Sequence, residues 1–416
     1  MINTIVIKIA SRCNLNCSYC YVYNQGDNTY LKQPKLMSYN TVDMIINRFL
    51  GHCISNNVKA FTFVFHGGEP LLQKKEFFKY FIESSDRILV QENEIRCLYT
   101  TQTNGVLISK EWCELFNSLN IHMGVSLDGD KETNDKYRVD HQGKGAYNSV
   151  IKGLEISQKY SISSPGILSV IDIESDPVKF FNHLISLNVK SVDLLWPHAT
   201  HDIPPINVVR SDKSESLTPY ADWLIIIFDL WFTDEVNSKI EISIFETFIK
   251  LILGNEMHWN EDFGSEDNGI LVVETNGDIQ AVGALKICGD GFTISGANIE
   301  THSLSQSLET KLAKVYHKSH KMLNSKCLNC PIVEICGGGH IHTRFSKENG
   351  FDNASVYCKD FIKLIAHIQN SIFDSLPKKY QEQLNRISSK EIMEYMENLN
   401  FEDLENSKYS KELSSF

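Results

Sequence analysis

Ser11-Arg12-Cys13-Asn14-Leu15-Asn16-Cys17-Ser18-Tyr19-Cys20-Tyr21-Val22-Tyr23 is the stretch from which the rest of the chain is read. Its three cysteines stand as C-x3-C-x2-C. A fully closed iron–sulfur cubane takes four thiolate-type ligands. A loop that offers three leaves one iron open, and an open metal position is where chemistry is done. The plainer reading of the stretch by itself is three unrelated thiols in a cysteine-rich loop, and the cluster reading is the favoured one. The residues before it, Ile5 to Ala10, make a short apolar strand, so the loop follows a strand end.

The same arrangement recurs downstream. Phe61 to Phe65 reads as a buried strand ended by His66-Gly67-Gly68-Glu69-Pro70, and Arg96 to Thr101 as one ended by Gln102-Thr103-Asn104-Gly105. Ile121 to Leu127 is a strand ended by Asp128-Gly129; Ile167 to Ile171 and Val192 to Leu195 complete six. Helical patterns separate them: Leu36 to Leu50 with a start signal at Ser38, Lys74 to Leu89, Ser109 to Leu119, Tyr147 to Tyr160 and Pro177 to Leu187. Alternation at this spacing implies parallel βαβ units. The special residues gather just past strand C-termini, where α/β barrels build their active sites. Open parallel sheets follow the same rule, so spacing alone leaves barrel and sheet both open.

After Pro197 the pattern changes. Pro197 to Pro205 reads as a loop, followed by helices near Ala221 to Phe232 and Ile244 to Leu253. Ile270 to Glu274, the Asn276-Gly277 turn and Asp278 to Val282 read as a hairpin. Leu308 to Leu323 reads as a helix. A second set of cysteines follows as Cys327-x2-Cys330-x5-Cys336, with Cys358 later. The tail from Asp360 is helical and charged, and Lys408 to Phe416 is expected to fray.

A net charge of −12 and a pI near 5.6 over 416 residues give a nucleic-acid partner no electrostatic support. Seven of the 11 cysteines fall in the two tight sets. That pattern argues for metal rather than disulfides, and so for a reducing, cytoplasmic setting. Cys53, Cys97 and Cys113 lie in helical or strand patterns and are expected to be buried. No signal peptide is visible. The longest apolar stretch, Trp223 to Phe232, carries Asp229 and is too short to span a bilayer, so no membrane partner is expected.

With C-x3-C-x2-C after the first strand and Gly-Gly-Glu-Pro after the second, the chain resembles the radical S-adenosylmethionine (SAM) enzymes. The resemblance implies an α/β fold: a partial (β/α)6 TIM-like barrel followed by a C-terminal α+β iron–sulfur domain. Expected boundaries are 1–200 for the barrel, 201–265 for a helical linker, 266–370 for the second domain and 371–416 for a helical tail. Cys13, Cys17 and Cys20 would hold a [4Fe–4S] cluster whose open iron accepts the amino and carboxylate groups of SAM. Reduction then cleaves SAM to a 5′-deoxyadenosyl radical. Gly67, Gly68, Glu69 and Pro70 would hold the SAM ammonium, the glycines allowing close backbone approach. Tyr19 matches an aromatic beside the adenine, with plain packing as the other reading. Ser126-Leu127-Asp128-Gly129, then Asn134-Asp135 and Arg138, match an "S-x-D-G … H-D-x-x-R" stretch in which Asn134 replaces the histidine. Ser126 and Arg138 would bind the SAM carboxylate, Arg138 through its forked donors. Gln102 and Asn104 are candidates for ribose or carboxylate contacts, or mark a turn at a strand end.

The second set resembles the SPASM domain of radical SAM enzymes that act on peptides and proteins. Cys327, Cys330, Cys336 and Cys358 match the ligands of one auxiliary [4Fe–4S] cluster; a structural zinc site is the other reading of these four. The full motif has cysteine where His340 stands, and upstream only Cys288 is present where several are expected. One auxiliary cluster is therefore expected, with a labile second site on Cys288 and His340 as the alternative. His198 and His201 face the site or simply serve the loop.

A narrower resemblance rests on Cys336-Gly337-Gly338-Gly339-His340, Arg344-Phe345-Ser346, Glu348 to Asn353 and Ser355-Val356-Tyr357-Cys358, with Glu274 to Gly277. It is to the maturases that build three-residue cyclophanes, of the FxsB, GrrM and XyeB types, with darobactin-type maturases nearby. It implies a ribosomal precursor peptide as substrate and an electron donor such as flavodoxin or ferredoxin. Hydrogen would be taken from a Cβ, and that carbon joined to the ring of a Trp, Phe or Tyr two positions away. Thioether formation and anaerobic sulfatase maturation are the rivals within this chemistry. A non-catalytic iron–sulfur module that binds peptides or carries electrons is the rival outside it. The first strand begins too early for a winged leader-binding domain ahead of it. A leader would dock on Pro197 to Phe263, on the C-terminal helices or on a separate protein.

Overall fold

The computed structural model describes residues 2–206, 218–233, 240–255, 261–381, 384–399 and 406–416. The first part runs β1 (Thr4–Ala10), α1 (Tyr39–Asn56), β2 (Ala60–Gly67), α2 (Lys75–Ser85), β3 (Arg96–Thr103), α3 (Lys110–Ser118), β4 (Ile121–Ser126), α4 (Lys131–Tyr137), α5 (Tyr147–Tyr160) and β5 (Gly166–Val170). It continues with α6 (Pro177–Ser186), β6 (Ser191–Leu195), α7 (Pro219–Thr233), β7 (Glu241–Ile242), α8 (Ser243–Ile252), β8 (Ile270–Val273) and β9 (Ile279–Gln280). Beyond short turns of helix, the last elements are α9 (Cys358–Ser375), α10 (Ser389–Glu397) and α11 (Ser410–Leu413). The chain divides into two compact units, Met1–Ser169 with Gly269–His317, and Val170–Asn268 with Lys318–Phe416.

In the first unit β1 to β5 pair in sequence order, every pairing parallel. This is the mixed α/β class with a parallel sheet that the alternation implies. Ile5, Ile7 and Ile9 of β1 and Phe61, Phe63 and Phe65 of β2 are buried. Phe63 sets its ring edge against Phe49 of α1 and Phe81 of α2, at 5.6 and 5.2 Å between centroids. Burying one such side chain contributes about 1.5–3 kcal/mol. Ser38 caps α1, accepting from the Thr41 amide at 3.1 Å. α2 is shorter than its apolar pattern: at Asp86 the chain enters a π-type turn running to Gln91.

The Asn276-Gly277 hairpin forms, β9 running antiparallel to β8. β8 also pairs in parallel with β1, which makes residues 269–317 part of the first unit. The expected boundaries at 200, 265 and 370 therefore do not coincide with the two units. The single helix expected over Leu308 to Leu323 is instead two short ones, Leu304–Leu308 and Lys311–His317, the first started by a capping box at Ser303.

In the second unit β6 pairs in parallel with β7. Trp223 of α7 packs edge-on against Phe180 of α6 at 4.9 Å and donates its indole N–H to the Ser175 carbonyl. Trp196, Tyr220, Tyr357 and Phe361 form an aromatic cluster, and the Tyr357 hydroxyl donates to the Pro197 carbonyl at 2.7 Å. The chain end does not fray. Leu413 is fully buried, its carbonyl accepts from the Phe351 amide at 2.9 Å, and Phe416 packs on Phe351. Gly350 makes this fit possible: its φ is +55°, and an added Cβ would stand 2.3 Å from the Leu413 carbonyl oxygen. Among the described residues no helix is long and apolar enough to cross a membrane. Part of the expected linker, residues 207–217, 234–239 and 256–260, lies outside the described residues.

Candidate active site

The C-terminal ends of β1 to β4 carry the first-cluster and SAM-contact residues expected from the sequence, except Arg138, which follows α4. β1 feeds the cysteine loop, and the turn after β2 is clamped onto it. The Gly68 amide donates to the Ala10 carbonyl at 2.8 Å and the Glu69 amide to the Arg12 carbonyl at 3.0 Å. The approach is too close for a side chain. A Cβ on Gly67 would lie 2.2 Å from the Ala10 oxygen, and one on Gly68 2.0 Å from the Tyr23 hydroxyl. Glu69 then caps a 3-10 turn that begins at Pro70. Its carboxylate accepts from the Leu71 amide (2.9 Å), the Thr103 hydroxyl (2.7 Å) and the Asn104 amide (2.8 Å), tying the end of β2 to the end of β3. Burial pushes the Glu69 carboxyl upward, and these donors oppose it.

From β3, the Asn104 amide donates to Asn14 at 2.7 Å and reaches the Cys13 sulfur at 3.7 Å. Gln102 donates to the Ser126 hydroxyl at 2.9 Å. Tyr19 donates its hydroxyl to Asp128 and accepts from Arg138 at 2.9 Å, so loop, β4 end and the residue after α4 meet at one buried point. The Tyr19 ring packs on Tyr137 at 5.9 Å. Arg138 is buried, and its Nε finds no partner among the described residues. Burial works against its charge, but Tyr19, Asp128 and Cys17 hold it above its usual range.

Burial pushes the Cys13 thiol up to about 12 and Cys17 to about 11, and raises Cys20 as well. The charges of Glu69, Cys17 and Cys20 add to the upward push on Cys13. Buried thiols of this kind ionise when a metal coordinates them. Three thiols, an unmatched guanidinium N–H and two glycines at closest approach could hold a three-thiolate cluster and the carboxylate of its ligand.

In the second unit, Cys327, Cys330, Cys336 and Cys358 line one cavity of about 180 Å³, together with Met393 and Met396 of α10. Burial raises all four thiols, Cys327 to about 11 and Cys358 to about 12. Zinc with Zn–S near 2.3 Å needs its thiolates within about 4 Å of one another. Among the described residues no three His, Cys, Asp or Glu side chains are close enough for one metal ion. Cys288 is buried in the first unit, and His340 belongs to the second. His340 meets His342 at 2.7 Å between Nδ1 atoms, and His198 stacks on His342 at 4.7 Å. Burial holds His340 down at about 3 and His342 well below its usual range. His201 serves its loop, contacting the Ala354 carbonyl at 2.8 Å. Cys53 and Cys113 are buried as expected; Cys97 is only partly so.

Residues 7–177 match the family model of the radical SAM superfamily. The chain is a radical SAM enzyme. Over 373 residues it is 29% identical to the cysteine-type anaerobic sulfatase-maturating enzyme of Clostridium novyi (strain NT), covering 86% of this chain and 93% of that protein. It is 24% identical over 386 residues to the serine-type anaerobic sulfatase-maturating enzyme of Bacteroides thetaiotaomicron, covering 87% of this chain and 88% of that one. Native anSMEcpe with bound AdoMet and Kp18Cys peptide shares the fold at a TM-score of 0.74 and 22% identity, over 92% of this chain and 100% of that one. For a radical SAM enzyme, SAM and one [4Fe–4S] cluster are implied.

Some residues at this radical SAM site escape the motifs. Lys8, buried in β1, lies 3.1 Å from His66 Nδ1, which also accepts from the Gly67 amide at 2.8 Å. The signal for it is a lone charge in an apolar strand. His141 Nε2 approaches the Cys13 carbonyl at 2.9 Å, and no local pattern marks it. Away from this site, in the second unit, burial pushes Asp262 up to about 8, with Glu261 and Asp193 adding to it.

Proposed function

We propose that this enzyme modifies a ribosomally made precursor peptide, closing a cyclophane between an aromatic ring carbon and the Cβ of a residue two positions on. The observation that carries an oxidative, crosslinking role is the pair of thiol sets. Cys13, Cys17 and Cys20 offer three ligands, and Cys327, Cys330, Cys336 and Cys358 line a single cavity of their own. SAM bound to the first cluster supplies a 5′-deoxyadenosyl radical on reduction. The substrate loses two hydrogens for each bond formed: one as the atom that converts the radical to 5′-deoxyadenosine, one as a proton with its electron. A second cluster on the four remaining thiols is suited to receive that electron.

The chain's own residues prepare the site. Arg138 would offer its unmatched Nε–H to the SAM carboxylate, and Ser126, whose hydroxyl accepts from Gln102, would add a second donor. Gly67 and Gly68 would offer carbonyls to the SAM ammonium, and Glu69 fixes that turn against Thr103 and Asn104. Asp128 and Arg138 hold Tyr19 in place by its hydroxyl, which would fix the ring that is to lie by the adenine. The peptide substrate class is supported by the solved relative that carries a bound peptide. The cyclophane outcome is supported by the loop from Cys336 to Cys358 and by His340 in place of a further thiol.

A second reading, maturation of a sulfatase by oxidising a Cys or Ser to formylglycine, is favoured by similarity to such enzymes over 86–87% of the chain. Incubation with SAM, dithionite and each candidate peptide separates the two. A crosslinked aromatic peptide lighter by two hydrogens supports the cyclophane; an aldehyde on a sulfatase-derived peptide replaces it.

A further inference from the structure

Arg344 is among the largest fully buried side chains of the described residues, 1% exposed, and no ion pair to a carboxylate is found for it among them. Its Nη1 donates to the Ser319 carbonyl at 3.0 Å and the Met322 carbonyl at 3.3 Å. Its Nε and Nη2 have no partner among the described residues. Burying a cation with donors unmet costs several kcal/mol unless an anion or acceptor compensates. The residue stands behind the thiol cavity. Gly338, which lines that cavity beside Cys336, comes so near that an added Cβ would lie 3.4 Å from Arg344 Nη1. Burial lowers the guanidinium to about 10, with Cys327 and Cys336 acting in the opposite direction.

Four thiolates around a [4Fe–4S] core carry a net negative charge that grows by one on reduction. Charge and hydrogen bonds near the sulfurs set the potential of such a cluster. We propose that Arg344 is the buried countercharge of an auxiliary cluster held by Cys327, Cys330, Cys336 and Cys358, and that it raises that cluster's reduction potential so that it can take up the electron released by the substrate. The proposal rests on the reading of the four thiols as one cluster site. The couple is a one-electron step: the cluster gains one electron, the substrate has lost one electron and one proton, and the proton passes to solvent or a carboxylate. Arg344 itself stays protonated throughout. It is a positioning residue, acting only through the cluster.

The full chain with Cys13, Cys17 and Cys20 all changed to Ala, reconstituted with iron and sulfide, isolates the second site. Iron analysis and the EPR signal after dithionite reduction report whether that cluster is present. No iron or signal overturns the reading of the four thiols, and the proposal with it. With the cluster present, potentiometric titration compares Arg344→Gln and Arg344→Lys in that background. The expected result is a reduced-to-oxidised ratio at least tenfold lower at fixed potential for Arg344→Gln, about 59 mV for one electron, and a ratio near the parent's for Arg344→Lys. Both substitutions break the ties to Ser319 and Met322, so a merely structural role would move them together. Equal potentials for parent and Arg344→Gln, or equal shifts for both variants, overturn the proposal. If Arg344→Gln fails to assemble a cluster, Arg344→Lys decides alone: a parent-like potential supports it, and a tenfold or greater shift overturns it.

Discussion

Gly68 leaves no space for a side chain between the cysteine loop and the turn that faces it. A Cβ there would stand 2.0 Å from the Tyr23 hydroxyl and 2.3 Å from the Arg12 carbonyl oxygen, so either the turn or the loop must move. Gly68→Ala is expected to weaken SAM binding at least about tenfold, roughly 1.4 kcal/mol, measured by anaerobic titration calorimetry on the reconstituted protein. Unchanged affinity would mean that the clamp does not position the cofactor. His66 gives a prediction in pH. Burial first, then the Lys8 charge, holds its folded pKa at about 3, below the 6.5 of the unfolded chain. The unfolded state therefore binds a proton that the folded state refuses as pH falls through that window. Stability is full above about 6.5 and declines towards 3, by up to about 1.4 kcal/mol per pH unit. His66→Gln should flatten that decline in urea melts taken between about pH 7 and pH 4; an unaltered slope rules His66 out as its source. The two residues differ in legibility. Gly68 stands in a motif whose spacing gives it away. The His66 environment depends on Lys8, 58 positions earlier, meeting it across a parallel pairing.

Among the elements, α10 belongs to the tail read as helical, and that much was visible from its periodicity. What it covers was not, because a local pattern does not say which side chains a helix will meet. Met393 and Met396 line the cavity of the four thiols, shielding it with flexible apolar side chains. If those thiols hold the proposed second cluster, replacing both with Ser is expected to make it bleach several-fold faster in air, followed by its visible absorbance in the Cys13/Cys17/Cys20→Ala background. Bleaching at the parent rate would show that the helix does not shield it. The end of the chain shows the opposite case. Lys408 to Phe416 is polar and short, with the composition of a frayed terminus, yet Leu413 is buried and Gly350 lets the two backbones touch. One long-range contact outweighs local propensity there. β8 is similar: its hairpin is written in Asn276-Gly277, but its parallel pairing with β1 depends on residues more than 260 positions away.

At the scale of the molecule, each compact unit carries one thiol set, Cys13 to Cys20 in the first and Cys327 to Cys358 in the second. Cysteine spacing made both sets legible, since metal ligands must recur at short intervals. The grouping of 269–317 with the first unit was not, for the reason β8 illustrates. If each set holds its own cluster, iron should fall by half on changing either Cys13, Cys17 and Cys20 or the four later cysteines to Ala, from about eight per chain to about four. A loss of all iron from one of these variants would mean that the sets do not load separately. The central claim, radical crosslinking of a peptide, is tested most directly by mass spectrometry. The dithionite-reduced, reconstituted chain is given SAM and a panel of aromatic-rich candidate precursor peptides, with a sulfatase-derived peptide as the second arm. The account predicts one 5′-deoxyadenosine per bridge, a peptide lighter by two hydrogens, and fragmentation that fails between an aromatic residue and the residue two positions on. A modified peptide without matching 5′-deoxyadenosine, or formylglycine on the sulfatase-derived peptide with the aromatic one untouched, would contradict it.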